Sequence, residues 1–151
     1  MITLFRKYTA VTVIAVCAAV AMGSCQLETS GNGDLDGMWH LVRVDTLATS
    51  GSADMGSEKI YWSFQMRLLQ LDDKAQRYHS ILFRFDHSGG MLRLYNPYVY
   101  DRENGDYILT DVEMLLPFGI NSLDEVFTVE SLKNGKMILR GDELRLSFVK
   151  Y

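Results

Sequence analysis

Cysteine is almost missing from this chain. Of 151 residues only Cys17 and Cys25 carry thiols. Cys17 lies inside an apolar run, so no disulfide framework is available and the fold must be held by its core alone. Histidine is as sparse: His40, His79 and His87 lack the close spacing of a metal-binding pair, and no cysteine can join them. No Gly-x-Ser-x-Gly elbow surrounds Ser63, Ser80, Ser88 or Ser147. The stretch Asn32-Gly33-Asp34-Leu35-Asp36-Gly37 opens like an EF-hand loop, but the position that should supply its last ligand is Arg43. Carboxylates are plentiful, yet Glu58, Asp72, Asp73, Asp101, Glu103, Asp106, Asp111 and Glu113 fall mostly at predicted turns, where acids are expected anyway. No catalytic residue, metal ligand or cofactor is therefore assigned. The net charge of −4 with no basic tract argues against nucleic acid as a partner. No apolar run reaches the roughly 20 residues that a membrane-spanning helix needs.

One apolar run is present, and its neighbours define it. Arg6-Lys7 precedes it, Tyr8 to Met22 supplies 15 mostly apolar positions, and Gly23-Ser24-Cys25 follows. That is the length of a signal-peptide core, which runs about 7–15 residues and ends in small side chains. A plain secretory signal cleaved nearby is the other reading of the same run. Met22-Gly23-Ser24-Cys25 resembles the lipobox of bacterial lipoproteins. The resemblance implies cleavage before Cys25, lipidation of Cys25, palmitate-type chains included, and anchoring in the outer membrane of a cell envelope. Two or more acyl chains give stable attachment where one gives only marginal binding. The implied membrane face is the periplasmic side or the cell surface. Glu28, close behind the cysteine, resembles a surface-export signal of Bacteroidota.

Removing residues 1–24 takes Arg6 and Lys7 from the 15 basic residues. That leaves 13 against 19 acids, or −6, on a chain of 127 residues. Such a length makes one domain with a real core. Residues 25–34 read as a lipidated flexible tether, polar and Gly-containing apart from Leu27. Residues 35–151 read as all-β.

Eight strands are expected: 38–46, 60–71, 78–87, 91–96, 107–114, 125–132, 136–140 and 144–150. Leu144, Leu146 and Phe148 alternate with Arg145, Ser147 and Val149, which means one buried and one wet face. Asn134-Gly135 is the strongest short-range hairpin cue. Residues 48–57 read as a mobile loop. Residues 115–123 read as a helical turn or loop, because Pro117 disfavours a central strand. Eight short strands with hairpin signals predict an antiparallel sandwich or up-and-down barrel.

Gly37-Met38-Trp39, at the start of the first strand, resembles the Gly-x-Trp opening of lipocalins. The last strand, Leu144 to Tyr151, resembles the closing strand of lipocalin-like lipoproteins of Bacteroidales, many of unknown function. The resemblance implies an eight-stranded antiparallel up-and-down barrel in which Gly37 and Trp39 form the fold signature. It also implies that Trp39 closes one end beneath a basic residue from near the last strand, for which Arg140 and Arg145 are the candidates. Trp62, Phe64, Met66, Phe83 and Phe85 read as barrel interior. Tyr61, Tyr95, Tyr98 and Tyr100 flank long loops and are the candidate rim of a ligand mouth, because tyrosine offers a rigid apolar face and a polar tip. Two non-catalytic functions are expected. One is binding of a small apolar or amphipathic ligand; the other is a structural or protein-interaction role in the envelope with a filled barrel. A barrel of eight strands is just wide enough either to fill with side chains or to hold one small ligand.

Overall fold

A computed structural model describes residues 30–151. The signal segment, Cys25 and the first part of the expected tether lie outside the described residues. Where the description begins, the chain is already packed. Asn32 Nδ2 donates to Asp36 Oδ1 at 2.8 Å and to the Met66 carbonyl at 2.7 Å. A single 3-10 turn, Gly33–Leu35, then buries Leu35 completely. The stretch from Asn32 onward is thus laced to the barrel and is not part of a flexible tether.

Ten strands follow: β1 (Gly37–Thr46), β2 (Gly51–Asp54), β3 (Ile60–Gln65), β4 (Leu68–Asp73), β5 (Ile81–Ser88), β6 (Met91–Val99), β7 (Tyr107–Ile108), β8 (Glu125–Lys133), β9 (Lys136–Arg140) and β10 (Leu144–Lys150). Eight of them form a closed antiparallel cycle, β1-β3-β4-β5-β6-β8-β9-β10, and β10 returns to pair with β1 from Trp39↔Lys150 to Thr46↔Leu144. Closure removes every sheet edge within the cycle. The two short strands are appendages. β2 continues the edge of β1 beyond β3, and β7 continues the edge of β6 beyond β8.

Three expectations are corrected. The long second strand is a hairpin, β3–β4, turning at Met66-Arg67 with Gln65 opposite Leu68. Met66 itself takes the left-handed conformation, φ 55°. With no Gly, Pro or Asn to mark the turn, the alternation of Ile60, Trp62 and Phe64 reads straight through into Met66 and Leu68, both of which are exposed. The expected mobile loop at 48–57 contains β2, whose four residues are all exposed and therefore carry no alternation. The expected strand at 107–114 stops after two residues. A 3-10 helix, Val112–Phe118, replaces it, with Asp111 accepting from the Glu113 N–H at 2.9 Å as its N-cap.

The topology gives the barrel two unlike ends. One carries the tight turns β3–β4, β5–β6 and β8–β9, together with the start of β1 and the end of β10. The other carries the connections 47–59, 74–80 and 100–124 and the turn at 141–143. The loop 74–80 is fixed by a buried carboxylate. Asp73 accepts from Ala75 N–H (2.9 Å), Arg77 N–H (2.8 Å) and Arg77 Nε (2.9 Å), and Arg77 also reaches Glu58 at 2.5 Å. The Arg77 hydrogen bond holds the Asp73 carboxyl below its ordinary value, against the opposing effect of burial. A depressed acid contributes stability above its unfolded value near 4 and loses it as pH falls through the folded value. Asp73→Asn is therefore expected to be less stable than wild type at neutral pH, with a gap that narrows below about pH 4. Urea melts at pH 7 and pH 3 would read this, and a gap that widens in acid would contradict it.

Candidate functional site

The tight-turn end is closed by Trp39, which is 1% exposed. Its indole Nε1 donates to the Leu35 carbonyl at 2.8 Å, so the 3-10 turn Gly33–Leu35 crosses the floor and satisfies the ring's only polar atom. Above the ring stands Lys150, with Nζ 5.0 Å from the centroid, donating to the Asp34 carbonyl at 3.0 Å. Gly37 is required here: its φ is 107°, and a Cβ would lie 3.2 Å from Lys150 Cε.

The cation over Trp39 is thus Lys150, not Arg140 or Arg145. Both arginines face outward. Arg145 Nε contacts Glu130 at 2.6 Å, and Arg140 Nη1 lies 3.8 Å from the same carboxylate. Strand parity carried the signal. Leu144, Leu146 and Phe148 share one face with Lys150, whereas Arg145 is out of step with them.

Between the ends the barrel is solid. Trp62 lies 5.0 Å from Phe148, 5.9 Å from Phe127 and 6.3 Å from Phe64 by ring centroids, and Phe64 meets Phe85 edge-on at 5.2 Å. Trp62, Phe83 and Phe127 are fully buried, with Leu69, Leu92 and Leu139 between them. Of the aromatic and methionine residues expected inside, only Met66 is not, because it forms the β3–β4 turn.

The looped end is plugged from within. Leu115, Phe118 and Ile120 are fully buried. The Phe118 carbonyl accepts from Trp62 Nε1 at 3.2 Å, and Tyr78 meets the Phe118 ring edge-on at 6.2 Å. Gly119 ends the 3-10 helix at φ 82° and lies so close to β10 that a Cβ would stand 2.8 Å from Leu146 Cδ2. Beyond the plug, Glu125 accepts from the Asn121 and Ser122 N–H groups at 2.7 and 3.2 Å, and burial pushes its carboxyl above the usual range.

The four candidate mouth tyrosines do not form one rim. Tyr61 stands on the outer wall, stacked on His40 at 4.8 Å with Tyr151 edge-on at 5.5 Å. Tyr95 is also on the outer wall, beneath Arg93 at 5.1 Å. The reason is parity: Trp62 and Leu94 point inward, so their neighbours point out. Tyr98 and Tyr100 do belong to the looped end. Tyr100 stacks with Arg102 at 5.3 Å. Tyr98 is 40% exposed and borders a shallow groove with Leu82, Arg84, Asn96 and Asp106. Directly opposite Tyr98, β7 presents Ile108, which is 65% exposed.

The sequence of this closed meander also matches a family model. The match is to the lipocalin-like domain and spans residues 20–151. The chain belongs to the lipocalin-like domain family. A lipocalin-like protein from Bacteroides uniformis ATCC 8492 has a similar structure, with 18% identity over 79% of this chain and 100% of that one, at a TM-score of 0.60. A second, an uncharacterized protein from Bacteroides eggerthii DSM 20697, shares 15% identity over 78% of this chain and 99% of that one, at 0.54. At these identities the likeness is one of fold. No curated protein matches the sequence. As a lipocalin-like barrel the chain has a fold suited to binding. Its interior is filled, and its looped end is stoppered by its own residues Leu115 to Ile120.

Proposed function

We propose that this protein is a lipid-anchored lipocalin-like lipoprotein of the bacterial cell envelope that binds and does not catalyse, with a solid barrel that presents its recognition surface on the outside. The observation that carries this reading is the sealed core. Trp62 is wedged among Phe64, Phe127 and Phe148, and its indole donates to the Phe118 carbonyl. A carrier needs a concave apolar pocket of about 300 Å³ or more; inside the barrel that space is taken by rings, and the open cleft of about 1070 Å³ lies at the floor, between residues 30–38 and 63–66. The flap of Tyr98, Tyr107 and Ile108 offers exposed apolar area suited to another envelope protein.

A small apolar or amphipathic ligand is the second reading. It is favoured by the make-up of the stopper, a seven-residue 3-10 helix whose carbonyl contact with the Trp62 indole is a single hydrogen bond. In this reading the stopper swings away to uncover the aromatic interior. Anchoring rests on the Gly23-Ser24-Cys25 motif, and the outer membrane, on its periplasmic face or at the cell surface, is the proposed location.

Cys25→Ala is expected to release the protein from the membrane fraction or to stall it uncleaved. Processing at the same site with full membrane retention would overturn the lipoprotein reading. Native mass spectrometry of the protein extracted from its own envelope separates the two binding modes. A protein partner that is lost on Ile108→Asp supports the interaction role. A small apolar mass retained without any partner supports the carrier.

A further inference from the structure

The floor of the barrel carries a charge opposite to that of the chain. Antiparallel topology brings the β3–β4 turn, the β8–β9 turn and the end of β10 to one end, and contacts tie them together. Asn32 Nδ2 donates to the Met66 carbonyl at 2.7 Å, and the Lys150 N–H to the Gly135 carbonyl at 2.8 Å. The Tyr151 N–H donates to the Met38 carbonyl at 2.9 Å. Arg67, Lys133, Lys136 and Lys150 all stand there, exposed.

Among the described residues Arg67, Lys133, Lys136 and Lys150 enter no ion pair; Lys59, Arg84 and Arg102 enter none either, but Lys59 and Arg102 stand in the connections of the looped end and Arg84 on β5. Lys133 and Lys136 are also direct cross-strand partners. Like charges placed opposite one another repel, so the hairpin bears a cost that an external anion would relieve. The nearby acids are Asp34 and Asp36, and Asp36 is taken up by Ser30 and Asn32. The far end is acidic, with Asp101, Glu103, Asp106, Asp111 and Glu113 in the connection that follows β6. Met66, 49% exposed, stands in the β3–β4 turn beside Arg67.

The chain reaches the barrel at this same end. Ser30 is the first described residue, and Cys25 lies five residues before it. Fully extended, five residues span at most about 18 Å. We propose that the closed end of the barrel, through Arg67, Lys133, Lys136 and Lys150 with the exposed Met66 beside Arg67, docks on an anionic phospholipid surface and so points the looped end away from the membrane. This orientation rests on lipidation at Cys25; the basic face itself does not.

The test uses the mature protein as purified from membranes. Its intact mass first reads whether Cys25 is acylated. If it is, the protein is reconstituted into phosphatidylcholine vesicles with and without phosphatidylglycerol, and amide exchange is followed at residues 65–68 and 133–136. Both turns should be protected several-fold only when phosphatidylglycerol is present. High salt should abolish the protection, because a nanometre-scale Debye length shrinks severalfold. The variant R67Q/K133Q/K136Q should lose it with no fall in melting temperature. Equal exchange in both lipids, or equal protection in the variant, overturns the docking while leaving the lipoprotein reading intact. If Cys25 carries no acyl chain, the lipoprotein reading fails. The basic face is then read by co-sedimentation with the same vesicles. At about fivefold per cation, the triple variant should bind on the order of 100-fold more weakly than wild type. Equal binding of the two overturns the proposal there as well.

Discussion

Trp39→Ala is expected to destabilise the barrel by about 3–5 kcal/mol, the range for truncating a fully buried large aromatic. The ring is 1% exposed. Its removal opens a hole at the floor and leaves three groups without their partner. The Leu35 carbonyl loses its indole donor, Lys150 loses the ring face below it, and the Gly33–Leu35 turn loses the surface it lies across. For a domain of this size, each kcal/mol lowers the melting temperature by roughly 3–6 °C, so the loss should be plain in a thermal scan. Lys150→Met separates the components. It keeps an apolar stem over the indole but removes the charge, and should cost about 0.5–2 kcal/mol, the worth of a cation–π contact. Melting of Trp39→Ala within a few degrees of wild type would mean that the floor does not hold the fold.

Phe118→Ala should cost a similar amount, about 3–5 kcal/mol, with a second effect that the floor variant lacks. The Phe118 side chain is fully buried within the hydrophobic core, edge-on to Tyr78, and its carbonyl accepts from the Trp62 indole. An apolar cavity of that kind stays dry and takes up small apolar molecules. The variant should therefore bind an apolar fluorescent dye or benzene saturably and be restabilised by it, while the wild type should not. Saturable dye binding by the wild type with no gain in the variant would show that the interior is already open, and would favour the carrier reading. A variant that is destabilised but still excludes the probe would mean that residues 115–120 collapse into the space.

Most of the barrel was legible because its strands keep parity. Leu144, Leu146 and Phe148 alternate cleanly, and β9 and β10 run as their sequences predict. The hairpin at Asn134-Gly135 has both residues at positive φ, the conformation that this dipeptide tolerates best. The misreadings have local causes. Met66 turns the chain without a turn residue, so β3 and β4 merge by eye. Residues 107–118 contain short apolar stretches that read equally well as strand or as buried helix, and only the Asp111 cap distinguished them. The floor was half legible. Gly37 and Trp39 declared it, but its cation had to be found by counting along β10 to Lys150. The tyrosines misled because proximity to a loop in sequence does not fix the face of a strand. Tyr61 and Tyr95 sit one step out of phase with the core, and that alone sends them outward.

The pairing of β1 with β10 has a consequence in time. Trp39 finds Lys150 across more than a hundred intervening residues, and the register runs on to Thr46↔Leu144 with one irregularity between Leu41 and Arg43. A chain that emerges N-terminus first, from a ribosome or a translocation pore, presents β1 long before its closing partner exists. Local hairpins such as β3–β4 and β8–β9 form at once, but the ring stays an open ribbon until the final strand is free, and non-local pairing of this kind is slow. Until then β1 offers an unpaired edge to any neighbouring strand. The last strand thus decides when folding finishes, and a chain still in transit cannot lock shut ahead of its own arrival.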